Sequence, residues 1–179
     1  MIVGLIVGGE IAFWALLVAG LAARYLLRAR RLSTALLIAV PLVDVVVLGA
    51  SLVDLRRGGD PSVAHGLAAI YLGVSVAFGG QLIRWADQRF AYHVGAGPAP
   101  ARPPRTGRAH AAYERRQWLR HLLAYVVAAA VLGLFTLLLG GEVTRTVRMW
   151  GPLVPWGMVL VVDFLISFSY TLVPRRTRS

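Results

Sequence analysis

The sequence predicts an all-α protein: a polytopic membrane bundle of about five transmembrane helices, with the N-terminus outside and the C-terminus in the cytoplasm. Of the 179 residues, 58% are hydrophobic, and the mean hydropathy is +0.67. Apolar stretches recur along the chain, each near the 20 or so residues that a helix needs to cross a bilayer core about 30 Å thick. A chain this apolar must bury its surface in lipid.

We expect one transmembrane domain with five spans, in the order of the apolar stretches. The spans cover residues 2–27, 34–55, 62–83, 119–139 and 152–173. Between the third and fourth spans, residues 94–109 are rich in Gly, Pro and Arg. Proline lacks a backbone donor and glycine lacks rigidity, so we predict that this segment is a loop.

The basic residues indicate the orientation. All of them are arginines, and they lie between the apolar stretches; placing 24–31, 84–120 and 175–178 on one side gives it 15 of the 19 arginines. The positive-inside rule makes that side cytoplasmic. We therefore take the positive charge as a topology signal rather than a nucleic-acid footprint. We expect a multi-pass protein of the bacterial plasma membrane that contacts membrane lipids.

Three acids fall inside the predicted spans: Glu10, Asp44 and Asp163. An ionisable group in a bilayer costs roughly 2.5 kcal/mol or more, so such residues are candidates for function. No arginine is predicted at their depth, and burial without a counter-charge favours the neutral, protonated acid. We predict that these three are the catalytic residues. Hydrogen bonding of the acids to hydroxyl groups of neighbouring helices is the plainer alternative.

Aromatic side chains recur on the helix faces that carry the acids. They are Phe13, Trp14, Tyr71, Phe78, Trp156 and Tyr170. The first two follow Glu10 by three and four residues, and the last two lie seven residues on either side of Asp163, so they share its face. Acids beside aromatic rings suit protonation of an alkene or epoxide and steering of the resulting carbocation. The same spacing also fits ordinary packing and interface anchoring.

Asp54 and His65 lie at facing ends of the second and third spans, and we include both among the substrate-binding candidates. For His65 we favour a hydrogen bond to Asp54 or Asp60 over a metal or haem, because the other three histidines are predicted on the opposite side. The chain has no cysteine. We therefore expect neither a metal nor another cofactor.

Three runs carry a resemblance to known proteins. The segments 10–14, 65–73 and 84–92 resemble small bacterial membrane proteins of the YmcC type, and the likeness covers nearly the whole chain. In architecture and residue type, the chain also resembles integral-membrane terpene cyclases of meroterpenoid and indole-sesquiterpenoid pathways. In those enzymes a glutamate and an aspartate on separate helices are implicated, which implies Glu10 with Asp44 or Asp163 here.

Our leading hypothesis is therefore an acid-initiated terpene cyclase that acts on a lipid-soluble prenylated small molecule. Glu10 or Asp44 would donate the proton, and Asp163 would be a donor partner or the terminal base. The aromatic side chains would stabilise the cation. One alternative is a small proton-coupled transporter or lipid-interacting protein without catalysis. Another is a scaffold that binds partners through its arginine-rich face.

Overall fold

A computed structural model describes residues 2–93, 97–100, 103–104 and 106–172. Within these ranges all regular secondary structure is helical, which confirms the predicted class. The helices are α1 Ile2–Tyr25, α2 Arg30–Arg56, α3 Val63–His93, α4 Gly107–Leu138, α5 Val143–Trp150 and α6 Leu153–Leu172. Every one except α5 is long and apolar enough to cross a membrane. Arg175, Arg176, Arg178 and parts of the predicted loop 94–109 lie outside the described residues.

Two helices are much longer than a bilayer core requires. Helix α3 has 31 residues and α4 has 32, which at about 1.5 Å per residue corresponds to roughly 45 Å. Both extend past the apolar stretches at the same end of the bundle, which carries the polar segments 84–93 and 107–120. We call this the arginine-rich end. Its assignment to the cytoplasm remains a prediction from arginine counting.

Helix α3 lies at the centre of the bundle. It packs against α1 and α2 on one side and against α4 and α5 on the other, while α6 packs against α4. One apolar core joins α1, α2 and α3 around Phe13, Leu17 and Val40. A second core has residues from each of the helices α2, α3, α4, α5 and α6. Its members include Ala69, Leu132, Phe135, Met149 and Leu153. Apolar side chains such as Ile11, Ile38 and Val161 are exposed on the outside, as a lipid-facing surface requires.

Two glycines let backbones touch in the centre of the bundle. A Cβ at Gly73 would overlap the Ala124 carbonyl oxygen of α4, and one at Gly66 would overlap the Met149 carbonyl oxygen of α5. Small residues at such crossings allow the close helix approach that drives association in lipid. Gly79 and Gly80 of the same helix make no such crossing, because a Cβ there would meet only side-chain atoms of α3 itself.

The short helix α5 is a feature that hydropathy did not predict. It lies at the end opposite the arginine-rich end, and its buried face carries Thr146 and Met149, both fully buried. Val143, Arg145, Val147 and Arg148 face outward. A helix with one buried face and an outer face of mixed arginine and valine fits the membrane surface.

Candidate intramembrane site

A groove between α1 and α3 brings together five of the eleven predicted site residues. It has a volume of about 190 Å³, and Glu10 lines it beside the aromatic residues Phe13, Trp14, Tyr71 and Phe78. On α1 the acid and its two aromatic neighbours lie on one face because they are three and four residues apart. On α3 the seven-residue spacing has the same effect. The groove therefore combines one carboxyl group with four aromatic rings.

The rings meet edge to face. The Phe13 ring centroid lies 5.5 Å from that of Trp14 and 6.2 Å from that of Tyr71, with interplanar angles of 78° and 73°. Such pairs add about 0.5–1.5 kcal/mol beyond their burial. Phe13 is buried, whereas Trp14 is 48% exposed. The groove thus has a fixed aromatic floor and an opening towards the lipid.

Glu10 is exposed at the edge of this opening. No hydrogen bond or ion pair joins it to another side chain in the described part of the protein. At about 1.5 Å per residue it lies roughly 12 Å along α1 from Ile2.

A second polar cluster lies between α4 and α6. The Nδ1 atom of His121 is 3.0 Å from Asp163 Oδ2, and the indole N–H of Trp156 donates to His121 Nε2 at 3.0 Å. Asp163 and Trp156 are two helical turns apart on α6, so the imidazole fits between them. We had identified both α6 residues from the sequence but missed His121. His121 directly follows the polar run 108–120, and its position in the sequence predicts that it belongs to the polar end of that helix, outside the apolar span.

The two hydrogen bonds define the tautomer of His121. An indole N–H can only donate, so Nε2 must accept. A neutral imidazole then carries its proton on Nδ1, which donates to Asp163. Asp163 is consequently an acceptor in this pair, a role suited to a base rather than to a proton donor.

Phe78 connects the groove to this cluster. It lines the groove, and its ring centroid lies 6.2 Å from that of His121 with the planes 83° apart. Trp156 also packs against Tyr125 of α4, with ring centroids 5.6 Å apart. Glu10 lines the groove together with Phe78, whereas Asp163 is linked to Phe78 only through His121. The two acids do not share a single pocket.

The remaining candidates lie elsewhere. Tyr170 stacks on His110, with ring centroids 4.8 Å apart. The backbone of Asp44 belongs to α2, but its side chain lies outside what the structure describes. Among the described residues, no group of three His, Asp or Glu side chains could hold a metal ion.

Asp54 and His65 meet at the far end of the bundle. His65 is 1% exposed, and its Nδ1 atom accepts from the Ser62 backbone N–H at 3.3 Å and lies 2.9 Å from the Ser62 hydroxyl. Its Nε2 atom is 3.4 Å from Asp54 Oδ2, a contact that becomes an ion pair only when the imidazole is protonated. These residue types match a nucleophilic triad. However, Ser62 directly precedes α3, and its hydrogen bonds to the buried His65 ring stabilise the start of that helix. These contacts favour a structural role.

Comparison with known proteins places this architecture in a family. The chain is 39% identical over 176 residues to the uncharacterized membrane protein YmcC of Bacillus subtilis (strain 168), an alignment that spans 98% of this chain and 94% of the relative. The chain belongs to the YmcC family. No protein-family model and no solved structure matches it. Membership of the YmcC family agrees with the helical spans in making this a multi-pass membrane protein.

Proposed function

We propose that the chain is an acid-initiated terpene cyclase whose substrate enters the α1–α3 groove from the lipid. The observation that carries the proposal is Glu10, an acid without a cationic partner among the described residues, beside four aromatic rings. Aromatic faces attract cations, and a site without water preserves a carbocation. This combination favours protonation chemistry over hydrolysis.

The groove volume limits what can bind there. Ligand pockets commonly have about 300–1,000 Å³, whereas this groove has about 190 Å³. It would hold the reacting end of a prenyl chain, and the rest of the molecule would remain among the lipids. A farnesylated aromatic compound fits this arrangement, since its chain is as apolar as the bilayer.

The proposed reaction leaves the substrate's formula unchanged. Glu10 gives its proton to a terminal alkene carbon or to an epoxide oxygen, and the cation that forms is attacked by the next double bond. Loss of a proton to a base ends the reaction and yields an isomer of the substrate. The Glu10 carboxylate, which lines the groove, is our candidate for that base, because taking up the proton also restores the starting acid. Asp163 does not line the groove and pairs with His121 instead. Phe13, Trp14 and Phe78 would stabilise the cation along the way.

A direct test uses purified protein in lipid nanodiscs with a farnesylated indole and its terminal epoxide. We expect a product of unchanged mass and new chromatographic retention. Glu10→Gln should lower its rate of formation at least about 100-fold, the usual contribution of a general acid. Glu142→Gln is the matched control, because Glu142 is an exposed carboxylate just before α5. If neither compound is converted, or if E10Q equals wild type, the cyclase proposal fails.

One observation favours a second function, proton transfer through the bundle. His121 and Asp163 form a hydrogen-bonded pair of ionisable side chains inside the spans, and intramembrane His and Asp residues are typical of proton relays. The Trp156 indole only orients the imidazole. In proteoliposomes with a pH gradient, this function predicts proton flux that His121→Phe abolishes and Glu10→Gln leaves unchanged. Flux equal to that of protein-free liposomes would exclude it.

A further inference from the structure

The arginine-rich end contains a second and larger cavity. It has a volume of about 740 Å³ and lies between the last three turns of α3, the start of α4 and the stretch that includes Ala99, Pro100 and Pro103. Arg84 and Arg89 line it, together with aromatic and amide side chains. No Asp or Glu belongs to its described lining. We call it the arginine groove.

The positive charges of Arg84 and Arg89 are not neutralised by ion pairs with the described residues. Neither has a carboxylate within ion-pair distance among the residues that the structure describes. Asp87 is only three residues from Arg84, but it pairs with Arg24 at 3.5 Å and accepts from the Tyr25 hydroxyl at 2.9 Å. These contacts turn the acid towards α1. The groove therefore has a net positive potential that attracts anions.

A third arginine adds to this charge. Arg120 of α4 donates to the amide oxygen of Gln81, which lines the groove, and to that of Gln117 at 3.0 Å. Amide oxygens orient a guanidinium group without neutralising it. Glu114, on the same helix, lies 3.7 Å from His110 instead. Two guanidinium groups thus line the groove, a third lies behind its Gln81 side chain, and Asp87 pairs with Arg24 instead.

The aromatic residues of the groove indicate that it lies at the level of the lipid headgroups. Trp85, Tyr92 and Tyr113 line it, and Trp85 and Tyr92 are about half exposed. The guanidinium of Arg89 lies 5.3 Å from the centroid of the Trp85 ring, a cation–π contact that keeps it near the groove. Trp and Tyr concentrate at the level of lipid headgroups. Arginine is also the residue best suited to bidentate contacts with phosphate.

We propose that the arginine groove binds a phosphate group, carried either by an anionic lipid headgroup or by a soluble phosphate ester. Its volume exceeds that of a single phosphate and falls within the range of small-molecule sites. Arg84 and Arg89 would contact the phosphate oxygens, and Tyr92 and Tyr113 would contact the attached group. The proposal does not depend on Glu10 or on any reaction in the α1–α3 groove.

The test measures phosphatidylglycerol binding to the purified full-length protein in neutral detergent by native mass spectrometry. We expect bound lipid, with affinity falling as ionic strength rises. Arg84→Gln with Arg89→Gln should weaken binding at least about tenfold, because charged hydrogen bonds are lost. The matched control is Arg56→Gln with Arg57→Gln, an exposed pair at the opposite end. Circular dichroism verifies that both double variants keep their helices.

A competition arm identifies the source of the phosphate. Glycerol 3-phosphate that displaces the lipid at millimolar concentration would indicate a soluble ester, whereas displacement only by a second anionic lipid would indicate a headgroup site. Equal binding by the R84Q/R89Q and R56Q/R57Q variants would overturn the proposal. So would wild-type protein that binds neither probe. Cyclase activity has no bearing on either result, so the two proposals can fail independently.

Discussion

His121 is held by two hydrogen bonds whose directions determine where its proton lies. Trp156 donates to Nε2, so Nδ1 must carry the hydrogen that Asp163 accepts. We predict that ¹⁵N spectra of histidine-labelled protein in nanodiscs show His121 as the neutral Nδ1–H tautomer at pH 7. The expectation rests on hydrogen-bond geometry, which is how tautomers are assigned without visible hydrogens.

Trp156→Phe provides the control for this experiment. It removes the indole donor but keeps a ring against Tyr125, so the Nε2 resonance should move towards that of an unbonded nitrogen while Nδ1 remains protonated. An Nε2–H tautomer in the wild-type protein would contradict the prediction. It would also require Asp163 to be a protonated acid that donates to Nδ1, which would return Asp163 to the list of possible proton donors.

At the scale of helices, contact between α3 and α4 depends on Gly73. A methyl group there would overlap the carbonyl oxygen of Ala124, a residue with no exposed surface. We expect Gly73→Ala to lower the free energy of unfolding in mixed micelles by about 1–3 kcal/mol, the usual cost of overpacking. Gly49→Ala is the control, since nothing lies within 4 Å of a Cβ built at Gly49. Helix propensity alone would stabilise both variants, because alanine favours a helix over glycine. A Gly73→Ala protein as stable as the Gly49→Ala protein would therefore contradict the predicted overlap at the crossing.

Helix α5 is attached to α4 through hydroxyl groups. Trp150 Nε1 donates to Thr136 Oγ1 at 3.3 Å, and the single Thr136 hydroxyl hydrogen is shared between the Leu132 carbonyl oxygen at 2.9 Å and Thr146 Oγ1 at 3.3 Å. Thr146→Val keeps the shape of the side chain but removes that acceptor, so we expect a loss of about 1 kcal/mol of stability. Thr144→Val, at an exposed position of the same helix, should change it little. The test fails if thermal unfolding of the two variants is indistinguishable.

For the whole molecule, the helical class and the five membrane spans were predictable because the bilayer fixes the length of an apolar span. The Glu10–Phe13–Trp14 face was predictable because it is local, set by the helical repeat. The pairing of helices was not predictable, because it depends on how the surfaces of two helices fit together, and the sequence pattern describes each helix separately. For that reason the sequence suggested neither the pairing of His121 with Asp163 nor the contact of Gly66 with α5. At 8 residues, α5 was too short for a hydropathy signal.

Arginine counting also predicts the orientation of the bundle, that is, which end faces the cytoplasm. The predicted topology puts 15 of the 19 arginines on one side of the membrane, and the positive-inside rule makes that side cytoplasmic. The chain has no cysteine, so single cysteines can report on it directly. Asp60→Cys precedes α3 and Ala109→Cys lies in the first turn of α4, both at exposed positions. In intact bacteria a membrane-impermeant maleimide should label D60C at once and A109C only after permeabilisation. The reverse pattern would mean that the arginine groove faces outward, where it would meet a different set of lipids and phosphate esters.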